Sequence, residues 1–226
     1  MINDDITRHF DMIADNYDEY KKKNNYYYEI LKKLYLELIP EAKSKRILEI
    51  GCGTGNLISF LRPKQGIGID VSKQMIRIAK EKHRDIDFKV MSAEFLELDG
   101  MFDYIFLADV IEHLSNLNLA FRNMNKISDK DSIIIITAAN TLWEPILLLA
   151  EKLGLKMPEG PHNRPSYKQF AKILDQNNFK VIKRGYRFLI PKRLPIIHNI
   201  NKVFYKIPLV RCLGMIEYLV IRPKLL

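Results

Sequence analysis

The chain has 226 residues, 47% of them hydrophobic, and a formal net charge of +9. That is enough apolar sequence for one sizeable α/β domain, while two cysteines are too few for a disulfide framework and point to a reducing cytosol. The start, Met1-Ile2-Asn3-Asp4-Asp5, is unlike a signal peptide, and the longest fully apolar run, Pro145 to Ala150, is far short of the ~20 residues that span a bilayer, so a cytoplasmic protein, soluble or peripheral on the inner face of a membrane, is expected.

In chain order, Ile6, Phe10 and Ile13 recur at helical spacing within residues 5–20. A second helix is predicted from about Asn25 to Ile39, with Ile30, Leu31, Leu34, Tyr35 and Leu38 on one face and Pro40 ending it. Residues 1–40 thus read as an N-terminal helical cap. Strands then alternate with helices: strands near 46–50, 66–69, 86–90, 102–107 and 132–137, and helices at 55–61, 72–83 (capped by Ser72) and 116–127. That rhythm predicts a parallel, doubly wound sheet. Further on, Trp143–Leu155 reads as a helix, and Met157–Pro165 is rich in breakers. Ser166 caps a helix to Gln176, and Phe179–Ile182 and Ile216–Ile221 read as the last two strands. About 30 residues, Arg184 to Gly214, lie between these strands. A connection of that length inside one domain is usually functional or disordered.

Ile47-Leu48-Glu49-Ile50-Gly51-Cys52-Gly53-Thr54-Gly55-Asn56 carries the most chemical information. An apolar strand ends in an acid, three glycines follow at alternate positions, and a helical pattern opens at Leu57. In a strand–loop–helix unit, missing Cβ atoms let a ligand approach the backbone at the carboxyl end of the sheet. Asp70 ends the next strand, 19 residues beyond Gly51, near the spacing of ~20 at which a carboxylate holds a ribose diol. A dinucleotide fingerprint would need a third glycine where Asn56 stands, and no Gly-Lys-Ser/Thr follows to make a phosphate-binding P-loop.

The pattern Glu49-x-Gly51-x-Gly53-x-Gly55, with Asp70 after the next strand, resembles the class I S-adenosylmethionine-dependent methyltransferases over roughly residues 5–183, most strongly over 46–113. The resemblance implies a single domain over 1–226. Its fold would be Rossmann-like, a seven-stranded, mostly parallel sheet with an antiparallel last strand and helices on both faces. It also implies S-adenosylmethionine as cofactor. Gly51, Gly53 and Gly55 would line its methionine end, Glu49 would orient the loop and the cofactor ammonium, and Asp70 would accept both ribose hydroxyls. Val71 would lie against the adenine. Ser92-Ala93-Glu94 stands where the family often has Asp-Ala-Glu. Ser92 therefore weakens or rearranges the contact to the adenine amino group, and the Ala93 N–H remains for the ring. The run ending at Asp109 would meet the ammonium through backbone carbonyls. Tyr17, in Ala14-x-x-Tyr17-Asp18, is either a lid over the site or an aromatic filling a core edge.

By the same resemblance, Glu112 and His113 face the methyl acceptor. They would act there as general base or metal ligands, or only as a capping pair. His162 is a second base candidate, whereas His9, His83 and His198 read as surface or packing residues.

For the acceptor, no Asn/Asp-Pro-Pro-aromatic motif follows the fourth strand and no Pro-Cys pair exists, which argues against adenine N6 and cytosine C5 methylation. Charge offers the remaining clue. Eleven of 36 basic residues but one of 27 acidic residues lie from Lys180 onward, so the last 47 residues carry +10 and the first 179 carry −1. Within 184–214, basic residues alternate with Ile, Leu and Val and with prolines 191, 195 and 208. Such an insertion suits an anionic membrane surface, or else packs back as a substrate lid with a solvated basic face. Its aliphatic character disfavours nucleic acid, whose single strands are read by stacking on aromatics. The expected acceptor is a small or lipid-linked molecule of isoprenoid or glycolipid type, methylated on oxygen. A soluble acceptor, RNA, or a non-catalytic cofactor-binding role are the alternatives.

Overall fold

A computed structural model describes residues 4–158, 160, 162, 165–187 and 211–224. Seven strands share one sheet: β1 (Arg46–Ile50), β2 (Gln65–Asp70), β3 (Asp87–Val90), β4 (Tyr104–Ala108), β5 (Ile133–Ala139), β6 (Phe179–Arg187) and β7 (Ile216–Pro223). Their order is β3-β2-β1-β4-β5-β7-β6, and β7 runs antiparallel to both of its neighbours. The other pairings are parallel. Strand order therefore reverses between β1 and β4, and a crevice opens outside their carboxyl ends, where ligands bind in sheets of this kind.

Side chains alternate across the sheet, so each face builds its own core. Ile47, Phe106 and Ile135 point to one side, joining Leu31, Leu34 and Tyr35 of α3 (Asn25–Leu38), while α4 (Asn56–Leu61) adds Ile58. Leu48, Ile105, Leu107, Ile134 and Ile136 point to the other. There they meet Phe121 and Met124 of α6 (Leu117–Lys126) and Phe170 of α8 (Tyr167–Gln176). Helix starts follow the predicted caps. Ser72 Oγ accepts the Met75 N–H at the start of α5 (Lys73–Lys82), and Ser166 forms a capping box with Gln169 on α8.

Two expectations need correction. Residues 5–20 are not one helix: α1 (Asp4–Ile13) and α2 (Tyr17–Lys23) are separated by a 3-10 turn at Ala14–Asn16. The break lets Ala14 be buried and turns Tyr17 toward the glycine loop. The insertion expected at 184–214 also starts later, because β6 continues through Arg187 in register with β7. Gly185 permits this, since a Cβ there would lie 2.4 Å from the Tyr218 ring. Arg184 pairs with Glu217 at 2.6 Å and stacks on Tyr167, and Arg187 reaches Glu37 at 3.0 Å. These two cations of the basic tail are spent on internal contacts. Residues 211–213 form a 3-10 turn, and the intervening 188–210, where the rest of that expectation falls, lie outside the described residues.

Candidate active site

The glycine loop is held from both ends. Glu49, buried at the end of β1, accepts the Ile58 N–H at 3.0 Å and so ties the strand to α4. Burial pushes its carboxyl up to about 8, against the opposing pull of Lys21 and the Ile58 bond. Gly51, Gly53 and Gly55 have φ of +70°, +53° and +76°, in the left-handed region. A Cβ on Gly51 would lie 2.3 Å from Val110, and one on Gly55 would lie 2.5 Å from Phe88. Both glycines thus serve close packing within the protein. A Cβ on Gly53 would meet the Tyr17 ring at 3.1 Å.

Asp70 braces the same loop, accepting the Gly53 N–H at 2.8 Å through one oxygen and the Ser72 N–H at 2.9 Å through the other. Burial raises its pKa and these two bonds counter the rise. Each carboxylate oxygen keeps a further lone pair, so Asp70 can still receive a diol. Across the crevice, Asp109 adopts φ +57° although it is not glycine. Tyr27 of α3 holds it there, donating its hydroxyl to Oδ2 at 2.6 Å. Strain of this sort is stored where a function needs it. Below β3, Ser92 Oγ accepts the Glu94 N–H, and the Glu94 carboxylate accepts the Asn116 N–H at 2.6 Å.

These parts border one cleft at the carboxyl ends of β1, β2 and β4, where small-molecule sites of such sheets lie. Of the residues expected from the sequence, Tyr17, Gly51, Gly53, Asp70, Val71, Ser92, Ala93, Glu94, Asp109 and His113 all line it. Glu49 and Gly55 lie outside this lining, Gly55 against Phe88 and His83, and so do Glu112 and His162. Glu112 is buried in the 3-10 turn Ile111–His113.

Tyr17 borders the cleft with its ring against Gly53. Burial, reinforced by the charges of Asp70, Asp109 and Glu49, lifts its hydroxyl far above the ordinary tyrosine value, so it stays neutral. Its neighbour Asp18 bolts α2 to the glycine loop, the start of α4 and the end of α5, accepting from Thr54 Oγ1 at 2.7 Å, Asn56 Nδ2 at 2.8 Å and Lys82 Nζ at 2.6 Å. Burial works against that charge, but the bonds from Lys82, Thr54 and Asn56 prevail and hold the carboxyl below its usual range. Asp11 of α1 accepts the Ser72 hydroxyl at 2.5 Å. Asp11, Asp18 and Tyr27 were invisible as site residues in the sequence. Only the adjacency of Asp18 to Tyr17 offered a signal.

At the far end, His113 meets Phe10 edge to face at 5.4 Å and His162 at 6.4 Å between ring centroids. His162 stands outside the cleft lining, with Nε2 3.0 Å from Glu144 of α7 (Glu144–Lys152) and Nδ1 3.0 Å from the Gly160 carbonyl. Of the two histidines, His113 borders the cleft and His162 lies behind it.

Residues 20–184 match the methyltransferase domain family. The chain belongs to the class I S-adenosylmethionine-dependent methyltransferases. An O-methyltransferase of ubiquinone biosynthesis from Pelagibacter ubique is 30% identical over 154 residues, 62% of this chain and 64% of its own length. The chain thus spans somewhat under two thirds of that relative. An uncharacterized protein of Methanocaldococcus jannaschii is 33% identical over 186 residues, 81% of this chain and 71% of its own. A Thermotoga maritima structure, described as an S-adenosylmethionine-dependent methyltransferase and possible histamine N-methyltransferase, shares the fold. It superposes with a TM-score of 0.69 at 19% identity, over 97% of this chain and 99% of its own. S-adenosylmethionine is the cofactor of this methyltransferase domain, and the site chemistry fits it: a loop without side chains for the amino-acid end, acids for a sulfonium and ammonium, and a carboxylate for the ribose.

Proposed function

We propose that the protein transfers a methyl group from S-adenosylmethionine to an oxygen of a small or lipid-linked acceptor at a membrane surface. On this reading 1–226 is one catalytic domain, with 1–40 as cap and the basic apolar stretch after β6 as a membrane-facing element. The observation that supports it best is that Asp70, Asp109, the glycine loop and His113 line one cleft with Tyr17. The Pelagibacter relative is an O-methyltransferase of ubiquinone biosynthesis, which favours oxygen and an isoprenoid-type acceptor.

When bound, the cofactor supplies an already electrophilic methyl group, so little covalent chemistry is left to the protein. Asp70 would receive the ribose hydroxyls, Glu49 and Asp109 would balance the positive charge at the methionine end, and Val71, Ser92, Ala93 and Glu94 would border the adenine. Tyr17, Ile6 and Phe10 exclude water. Such positioning supplies several kcal/mol, up to ~7–11. His113 takes the hydroxyl proton of the acceptor as the new bond forms, while Glu112 lies buried on the same turn. His162 and Glu144 stand behind it.

The test is mass spectrometry of a host lipid extract incubated with purified protein and methyl-labelled cofactor. Label in an isoprenoid or glycolipid species is expected. Label confined to soluble metabolites or RNA would overturn the lipid reading, and cofactor binding without any transfer would overturn the catalytic one.

A further inference from the structure

We propose that Lys21 of α2 is the counter-ion for the carboxylate of S-adenosylmethionine, and so selects a cofactor whose amino-acid end is intact. The inference rests on the cofactor and is independent of which acceptor is methylated.

The cleft leaves one part of that ligand unanswered. Its charged walls are Asp70, Glu94 and Asp109, and among the described lining residues there is no lysine or arginine. Glu49 adds a further carboxyl beneath the glycine loop. Such a set suits a sulfonium and an ammonium, and it repels the one anionic group of the ligand. A carboxylate taken out of water beside these acids needs a cation within reach, or the cost of its lost hydration is not recovered.

Three lysines stand in a row at residues 21–23, yet they face different ways. Lys22 pairs with Glu19 and Lys23 lies over the Tyr20 ring, and both are exposed. Lys21 is half-buried. It follows Tyr17 by four residues, so the two share one face of α2, and its Nζ sits 4.3 Å from the centre of the Tyr17 ring. Tyr28 of α3 offers a second ring at 4.8 Å. Aromatic faces hold an ammonium through their negative charge, which leaves its N–H groups to other acceptors. Among the described residues, Lys21 has no hydrogen-bond or ion-pair partner.

Tyr17 fixes where this cation stands. Its ring lies against Gly53, at the end of the cleft that Gly51 and Gly53 border. The charge is felt at that end, because Lys21 opposes the upward push of burial on both Glu49 and Asp70. Lys21 is outside the lining itself, but a flexible four-carbon stem lets the ammonium turn from the rings to a carboxylate while the helix stays in place. A charged hydrogen bond of this kind is roughly twice as strong as a neutral one.

The experiment measures binding, with no acceptor present. Calorimetric affinity of the full chain is determined for S-adenosylmethionine and for decarboxylated S-adenosylmethionine, which keeps the sulfonium and the ammonium and lacks only the carboxylate. Wild type is compared with Lys21→Gln, Lys21→Met and Lys21→Arg, and thermal unfolding reports folding. In wild type, removing the carboxylate from the ligand is expected to weaken binding by about tenfold or more. Lys21→Gln and Lys21→Met are expected to lose about tenfold or more for S-adenosylmethionine but less than about threefold for the decarboxylated ligand. Lys21→Arg should keep both affinities within about threefold, since its charge is retained. Lys21→Met decides the matter if Lys21→Gln does not fold. Neutral variants that bind S-adenosylmethionine as wild type does would overturn the proposal. So would equal losses for the two ligands, because packing on Tyr17 or a changed charge on Glu49 acts on the sugar and ammonium that both ligands share. Wild type that binds neither ligand would overturn the cofactor assignment together with the proposal, a result distinct from the other two.

Discussion

The two ends of the cleft are built differently. Around the glycine loop each acid is held by the protein: buried Glu49 holds Ile58, Asp70 holds Gly53 and Ser72, and Asp109 is held by Tyr27. At the acceptor end, α7 buries nothing and Glu144 and His162 remain partly open to solvent. The contrast teaches that the cofactor side is a frame held by its own hydrogen bonds, while on the proposed reading the choice of acceptor falls to an element with a more open surface.

The comparison can be broken most severely at Glu49. Its folded pKa of about 8 lies above the ~4.3 of an unfolded chain. Between those values the native state keeps a proton the unfolded state has lost, so the stability is complete below about pH 4 and is eroded as pH rises to 8. Glu49→Gln should therefore stabilise the free protein at pH 9 by roughly 3–5 kcal/mol in urea titrations, and leave it little changed at pH 4. Cofactor binding at pH 7 should release a proton in wild type and none in the variant, measurable by calorimetry in buffers of different ionisation enthalpy.

Next in size is Asp70→Ala, expected to weaken S-adenosylmethionine by ~1.5–3 kcal/mol; unchanged calorimetric affinity would remove Asp70 from the site. Gly55→Ala separates packing from binding. The added Cβ meets Phe88, so stability should fall by ~1–3 kcal/mol while cofactor affinity of the folded fraction moves less than threefold. A large affinity loss would return Gly55 to the cleft lining. The smallest effect is expected at Asp18→Asn, ~0.5–1.5 kcal/mol at pH 7. The Asp18 carboxyl is depressed on folding, so its contribution is present above the unfolded value and disappears as pH falls through the lower, folded one. Wild type and variant should converge in acid.

The same division governs what the sequence disclosed. Strands β1 to β5 were readable because buried parallel strands leave short β-branched runs, and Asp70 because it follows a glycine loop at a set distance. Ser72 and Ser166 announced their helices through local capping. What stayed hidden depended on contacts distant in sequence. Asp18 finds Thr54, Asn56 and Lys82 only once the sheet is assembled. Arg184 and Arg187 looked like part of a basic insertion because their partners, Glu217 and Glu37, lie on β7 and α3. The contacts of His162 with Glu144 and Gly160 were likewise hidden, because they join a breaker-rich loop to α7.

The bolt made by Asp18 has a kinetic side. Under the proposed reading of Tyr17 as a lid, its neighbour tethers it by gripping a hydroxyl, an amide and an ammonium at once, and loosening that one carboxylate is expected to shorten the dwell of spent cofactor more than it alters the chemical step.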